Sequence, residues 1–240
     1  MTLSRFLLVL ILALPGHSAW SKEIQENIDP WEPMNRRVFA FNETLDKYLL
    51  KPVARGYRFI LPDFAQRGVT NFISNIYEFN DVINSLLQGR AGGAAQSSGR
   101  FVINTTLGLV GLVDVATRVG IPLQRSDFGQ TLAVWGFDTG PFVMLPLLGP
   151  RTIRSGTGYF FDTYTSIPAL IEDRDAAWVF WTVEVIDYRV RLLDAEDLMT
   201  GDRYIFLRDA YMQLRESYVN GGVVEDSFSD YEEGEDWEDF

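Results

Sequence analysis

The sequence predicts a mainly α, single-domain fold. Three observations carry that prediction. Apolar residues recur at spacings of three and four in several separate segments. Gly and Pro punctuate the chain between those segments. No run of alternating strands and no internal repeat is present. At 240 residues, with 47% hydrophobic and 22% charged residues, the chain has an ordinary globular balance rather than the composition of a disordered one.

Taken in order, residues 1–21 read as an export leader. Arg5 is the sole charge there, an apolar run spans Phe6–Leu14, and Pro15–Gly16 breaks it. Small residues at Ala19 and Ser21 suit signal peptidase, with cleavage after Ser21 or after Ala19. Nine apolar residues are too few to span a bilayer, though an uncleaved anchor is the alternative reading. Residues 22–28 are a polar leader. Asp29-Pro30-Trp31-Glu32-Pro33 is a rigid entry into a helix whose stripe is Met34, Val38, Phe41, Leu45 and Tyr48. That helix is expected to stop at Lys51, before Pro52. A short Arg-aromatic stretch (Arg55, Tyr57, Arg58, Phe59) follows.

Val69, Phe72, Ile73, Ile76, Ile83, Leu86 and Leu87 form a second apolar helical face. Asn71, Asn75, Asn80 and Asn84 lie among them, either capping or breaking the helix near Glu78, or bonding neighbouring helices. Gly89 ends the helix, and Gly92 and Gly93 are expected to form a flexible joint. Phe101–Val119 holds only two charges, Asp114 and Arg118. It is too broken by Gly108, Gly111 and polar residues for a transmembrane helix. It reads as a core helix with a Gly turn, or as a segment dipping into one leaflet or lining a lipid path.

Gly120–Gly140 reads as a loop with a short helix. Pro141–Pro150 has three prolines in ten residues, which forbids a regular helix or a central strand. Its apolar side chains must be buried in protein or in lipid, since wet apolar surface costs about 25 cal/mol per Å². Two further helices follow: Val179, Val183, Ile186, Val190 and Leu193, then Tyr204, Leu207, Tyr211, Leu214 and Tyr218 closed by Gly221–Gly222. Residues 223–240 form an acidic tail with nine acids and no base, read as a solvated disordered end or as a docking segment for a basic partner. Residues 22–222 then hold 20 bases against 24 acids, a net −4. Arg outnumbers Lys eighteen to three, by genome composition or because Arg forks grip phosphate and carboxylate.

Chemistry is narrowly bounded. There is no Cys, and the one His, His17, lies in the leader. A processed chain therefore lacks the base of Ser-His-Asp or Cys-His catalysis and any His or Cys metal ligand. No nucleophile elbow, Ser-x-x-Lys pair or P-loop is present. Carboxylate chemistry survives as a possibility, with Asp127 and Asp138 in one loop as a glycan-hydrolase alternative. No basic cluster exists to bind nucleic acid.

Asp29-Pro30-Trp31-Glu32-Pro33-Met34-Asn35-Arg36, with Phe39-Ala40-Phe41-Asn42, resembles the opening of the MlaA (VacJ) family. Asn71-Phe72, Leu87-Gln88-Gly89, Arg100 to Gly108, Asp114-Val115-Ala116, Asp127 to Leu132, Gly140 to Pro146, Leu192-Leu193-Asp194 and Tyr218 to Gly222 continue the resemblance in order. It covers about residues 29–222. The resemblance implies a helical, doughnut-like ring with a central amphipathic channel in the inner leaflet of the outer membrane, held by a trimeric porin. It implies removal of phospholipid from the outer leaflet and delivery to a periplasmic lipid carrier, which maintains lipid asymmetry. It implies no enzyme activity and no cofactor. Family lipoproteins are anchored through a Cys that this sequence lacks, so an apolar belt or a porin must hold the chain.

On that reading, the lipid-path or membrane-facing residues are Phe101, Val102, Leu107, Leu109, Val110, Leu112 and Val113, with Phe142, Val143, Met144, Leu145, Leu147 and Leu148. Gly108, Gly111, Gly120, Gly129, Gly136 and Gly140 are the gate or hinge positions. Arg118 and Arg125 are assigned to steering the phosphate head group. A porin-associated scaffold is the non-transport alternative.

Overall fold

A computed structural model describes residues 28–199 and 201–219. The export leader (1–21), residues 22–27 of the polar leader, Gly221–Gly222 and the acidic tail (223–240) lie outside the described residues. The fold is mainly α, as the stripes predict. In order the elements are α1 (Glu32–Leu45), a π-helical turn (Asp46–Leu50), α2 (Lys51–Ile60), α3 (Asp63–Leu87), α4 (Ala91–Thr106), α5 (Val115–Arg118), α6 (Phe128–Val134), strands β1 (Phe142–Leu145) and β2 (Gly149–Thr152), α7 (Ile153–Thr165), a 3₁₀ turn (Ile167–Leu170), α8 (Arg174–Arg191), a second 3₁₀ turn (Ala195–Leu198) and α9 (Arg203–Val219).

Helix starts follow local chemistry. Pro33 sits in the first turn of α1 behind Glu32. Asp114, Asp127 and Asp173 cap α5, α6 and α8 with side-chain oxygens. Thr152 and Ser155 form a capping box at α7. Gly89, at φ +71°, closes α3 as expected.

Two expectations fail at Pro and Gly. The chain stays helical through Pro52 because the π turn ahead of it widens the register: the Lys51 N–H bonds the Asp46 carbonyl five residues back. The wider turn makes room for the pyrrolidine ring, which would otherwise meet a carbonyl of the preceding turn. Gly92 and Gly93 lie inside the first turn of α4 rather than in a joint. A Cβ on Gly93 would come within 3.2 Å of Ser85 Oγ, so the missing side chain lets α3 and α4 approach closely.

The 25 residues of α3, about 37 Å long at 1.5 Å per residue, form the centre of the fold. Their buried positions are Ile73, Asn75, Glu78, Asn80, Asp81, Asn84 and Ser85. Of the apolar stripe read from the sequence, Ile73 alone is among them, so the buried face is mainly polar. The asparagines neither cap nor break the helix but bond across it: Asn75 to Thr105 Oγ1 (2.9 Å), Asn80 to the Asp162 carbonyl (3.0 Å) and Asn84 to Asp162 Oδ1 (2.8 Å).

A small apolar cluster sits elsewhere, where α1, the β1–β2 hairpin and α9 meet. Phe142, Met144 and Tyr204 are its buried members. Phe142 and Phe39 each pack edge-on to Tyr204, and the Tyr204 hydroxyl donates to Asp29. The hairpin is antiparallel, with Met144 opposite Pro150. With only two strands, Pro150 sits at an edge where its missing N–H costs nothing.

Candidate functional site

The site begins where α4 ends. Leu109, Val110 and Gly111 all take left-handed backbone angles (φ 53°, 59° and 91°). Such angles cost an L-residue about 1–2 kcal/mol each, more for a β-branched one. Hydrogen bonds hold the turn: Val110 N to Thr105 O (3.1 Å), Gly111 N to Asn104 O (2.8 Å) and Val113 N to Gly108 O (2.8 Å). Asn71 Nδ2 donates to the Leu112 carbonyl across 3.2 Å and seats the turn on α3.

This fixed frame turns its aliphatic side chains outward. Leu107, Leu109, Val110 and Leu112 are 70%, 68%, 63% and 46% exposed. Leaving four such side chains wet forgoes on the order of 5 kcal/mol of burial. Phe64 lies one helical turn ahead of Gly68, and a Cβ on Gly68 would be 3.7 Å from the Leu112 carbonyl. Phe64, with Phe59 and Ile60 at the α2–α3 corner, is also exposed. Leu107, Leu109, Val110 and Leu112 make an apolar rim at the turn, and Phe59, Ile60 and Phe64 are a second exposed apolar group at the α2–α3 corner.

Beneath the rim the interior is polar. Among the described residues, twenty polar or charged residues are buried against nine apolar ones, so the interior is held mainly by hydrogen bonds. Arg100 is the hub. Its Nε donates to Glu78 Oε1 (2.5 Å), and its two other nitrogens reach Asp114 Oδ2 (3.1 Å), Thr117 Oγ1 (3.0 Å) and the Ile121 carbonyl (2.5 Å). Burial pushes the Glu78 carboxyl up against the opposing pull of Arg100. Asp81 accepts from Arg125 and the Ser126 N–H, yet burial pushes it up to about 7. Asp162 is raised to about 6 by the same cause. Asp114 and Asp127 go the other way: burial opposes it, but hydrogen bonds, with Thr117 foremost for Asp114 and Arg215 for Asp127, hold both below the usual range.

A protein-family model described as MlaA lipoprotein matches residues 27–218. The chain belongs to the MlaA lipoprotein family. The intermembrane phospholipid transport system lipoprotein MlaA of Escherichia coli K12 is 35% identical over 88% of this chain and 86% of its own length. Its Haemophilus influenzae counterpart is 32% identical over 86% and 85%. An uncharacterized protein of Rickettsia prowazekii, RP093, is 37% identical over 81% and 79%. A solved structure described as "Structural basis for maintenance of bacterial outer membrane lipid asymmetry" aligns with a TM-score of 0.71 at 37% identity, over 80% of this chain and 99% of that one.

Within this MlaA-family fold, the residues expected to face lipid divide. Val102, Leu107, Leu109, Val110, Leu112 and Leu147 are exposed, while Phe101, Val113, Val143, Leu145 and Leu148 are half-buried. Phe142 and Met144 are corrected to core residues, 0% and 2% exposed. Strand alternation sends them to one face, and two asparagines two turns apart on α1 clamp the hairpin there. Asn35 donates to the Phe142 carbonyl (3.2 Å) and accepts from Met144 N (2.9 Å). Asn42 does the same for Leu145 O (3.0 Å) and Leu147 N (2.9 Å).

The glycines divide as well. Gly120, Gly136 and Gly140 have positive φ, and the first two face open space. Gly108, Gly111 and Gly129 are fixed packing points, which corrects the hinge expectation for them. A Cβ would meet Val113 O at 2.2 Å, Asn75 Cβ at 2.8 Å and Arg215 Nη2 at 2.8 Å, respectively. Arg125 is a structural residue, bonded to Asp81 (3.0 Å) and Ser74, which corrects its steering role. Arg118 is exposed and has no ion-pair partner among the described residues. Asp127 is committed to Arg215 and to capping α6, a poor setting for a free acid–base pair with Asp138. No group of three potential ligand side chains suited to a metal occurs among the described residues.

Sequence reading missed Phe59, Ile60 and Phe64 as an exposed apolar group and Arg100 in the interior. Phe59 stood in the Arg-aromatic stretch, which was a usable signal. Arg100 carried none, because its partners are 14 to 22 residues away.

Proposed function

We propose that this chain moves phospholipid out of the outer leaflet of the outer membrane and hands it to a periplasmic lipid carrier, maintaining lipid asymmetry without covalent chemistry. The observation that carries this reading is the pairing of a rigid, strained turn presenting four exposed aliphatic side chains with a polar, hydrogen-bonded interior. A water-facing domain gains from the reverse arrangement. An apolar rim over a polar interior suits a body that sits in one leaflet and offers a polar path to head groups. None of the described helices is long and apolar enough to cross a membrane, and a leaflet-deep seat does not require one. The family membership and the names of the relatives support the same reading.

In this mechanism the chain forms a ring with a central amphipathic channel, held by a trimeric porin and by its rim in the inner leaflet of the outer membrane. Leu107, Leu109, Val110 and Leu112 contact acyl chains. The segment from Gly120 to Gly140 gates the channel, with Gly120, Gly136 and Gly140 absorbing the backbone change, and Arg118 meets the phosphate. Residues 1–21 are removed on export. No nucleotide motif is present, so direction comes from the lipid gradient or a downstream pump.

The test is a lipid-asymmetry assay in a strain lacking the chain. Outer-leaflet phospholipid should rise on deletion and return to normal on re-expression. An unchanged outer leaflet rejects transport, and porin co-purification with normal asymmetry would favour a scaffold.

A further inference from the structure

A cleft of about 500 Å³ lies between α2 and the segment 193–196. The cleft is open to solvent on one side. Lys51, Arg55 and Arg58 line it from one face of α2, at spacings of four and three, with Phe59 beside them. Asp194 and Glu196 face them. Two of the three cations are occupied: Arg58 Nη1 meets Asp194 Oδ1 at 2.7 Å, and Lys51 meets Glu196. Arg189, behind the cleft, also grips Glu196 and bonds Asp46 Oδ2 at 2.8 Å. The lining charges are three positive against two negative. Arg55 is the remainder, exposed and without an ion-pair partner among the described residues.

The cation is coupled to apolar surface. Phe59 follows Arg55 by four residues, so the two stand together on the helix face. Phe59 is 91% exposed, and Ile60 next to it is 76% exposed. A free guanidinium beside an uncovered ring matches a molecule that is an anion at one end and apolar at the other. Arg suits phosphate through paired N–H donors. An anionic head group brings only its phosphate to Arg55, whereas a zwitterion would add a second cation beside Lys51, Arg55 and Arg58.

We propose that this cleft binds the head group of an anionic glycerophospholipid, with Arg55 on the phosphate and Phe59 and Ile60 against the start of the acyl chains. The assignment rests on the reading that the chain handles phospholipid. It adds a preference for lipid charge at a place apart from the Leu107–Leu112 turn.

The experiment uses the full chain in detergent, titrated calorimetrically with short-chain phosphatidylglycerol, short-chain phosphatidylcholine, glycerol 3-phosphate and inorganic phosphate. Phosphatidylglycerol should bind more tightly than phosphatidylcholine. Arg55→Gln should weaken phosphatidylglycerol about tenfold or more, the loss expected for a hydrogen bond to a charged group. Arg55→Lys should recover part of it. Phe59→Ser should weaken the lipid and leave glycerol 3-phosphate unchanged. Wild-type affinity in Arg55→Gln overturns the site. Phosphate binding as tightly as the lipid, with Phe59→Ser silent, overturns the lipid assignment in favour of free phosphate. Unchanged thermal midpoints separate these results from misfolding. Because binding is read in vitro, this outcome is independent of the asymmetry assay.

Discussion

Arg100 on α4 and Glu78 on α3 meet at 2.5 Å with side chains 2% and 1% exposed. This ion pair fastens α3 to α4 ahead of the Leu107–Leu112 turn. Removing one member leaves the other charged and buried. Arg100→Met should therefore cost about 3–5 kcal/mol. Replacing both, with Glu78→Leu, should cost less than the sum of the single changes. Denaturant unfolding of the three variants measures the coupling.

The α6–α7 contact depends on a missing side chain. A Cβ on Gly158 would lie 2.3 Å from Gly129 N, whereas one on Gly156 meets nothing nearer than Arg151 Cβ at 3.8 Å. Gly158→Ala should destabilise the protein by about 1–3 kcal/mol, as overpacking does. Gly156→Ala should be neutral or slightly stabilising, because Ala is the better helix former. Thermal melts of the pair decide it.

Leu109 projects from a strained turn and is 68% exposed. Leu109→Asp costs the fold little, so the protein should accumulate normally. With the turn seated against acyl chains as proposed, the added charge should raise outer-leaflet phospholipid towards the level of the deletion strain. Normal asymmetry in this variant removes the turn from the lipid path.

Two buried carboxyls set a pH dependence. Asp81 and Asp162 are raised to about 7 and about 6, above the ordinary value of 3.8. The folded state therefore holds more protons than the unfolded chain between about pH 4 and 7. The stability from these groups is full below the ordinary carboxylate range and is lost as pH rises through 6 and 7. Asp114 and Asp127, held low, contribute above about pH 4 and lose that only in stronger acid. The melting midpoint should fall from pH 5 to pH 8, and Asp81→Asn should flatten the slope.

Asn35 is wholly buried and bonds Asp29 and two backbone groups of β1. Asn35→Ala strands those partners and should cost about 2–4 kcal/mol. Loss of hydrogen-exchange protection should be largest at Met144, whose N–H it accepts.

Much of this protein was legible in its residues alone. Spacings of three and four located α1, α3, α8 and α9, Gly89 marked a stop, and the ordered pieces from Asp29 to Gly222 pointed to the family. These signals are local or arise from chain order, so they need no partner to be read. Pro52, Gly92 and Gly93 misled because a π turn and a close helix pair override their usual preferences. The direction in which apolar residues point was decided only by tertiary structure. Phe142 and Met144 look no different in sequence from Leu109 and Val110, yet the clamp from Asn35 turns the first two inward, and the left-handed turn after α4 sends the others out. Periodicity states that a face exists; which face meets water, protein or lipid depends on contacts made by residues far away along the chain.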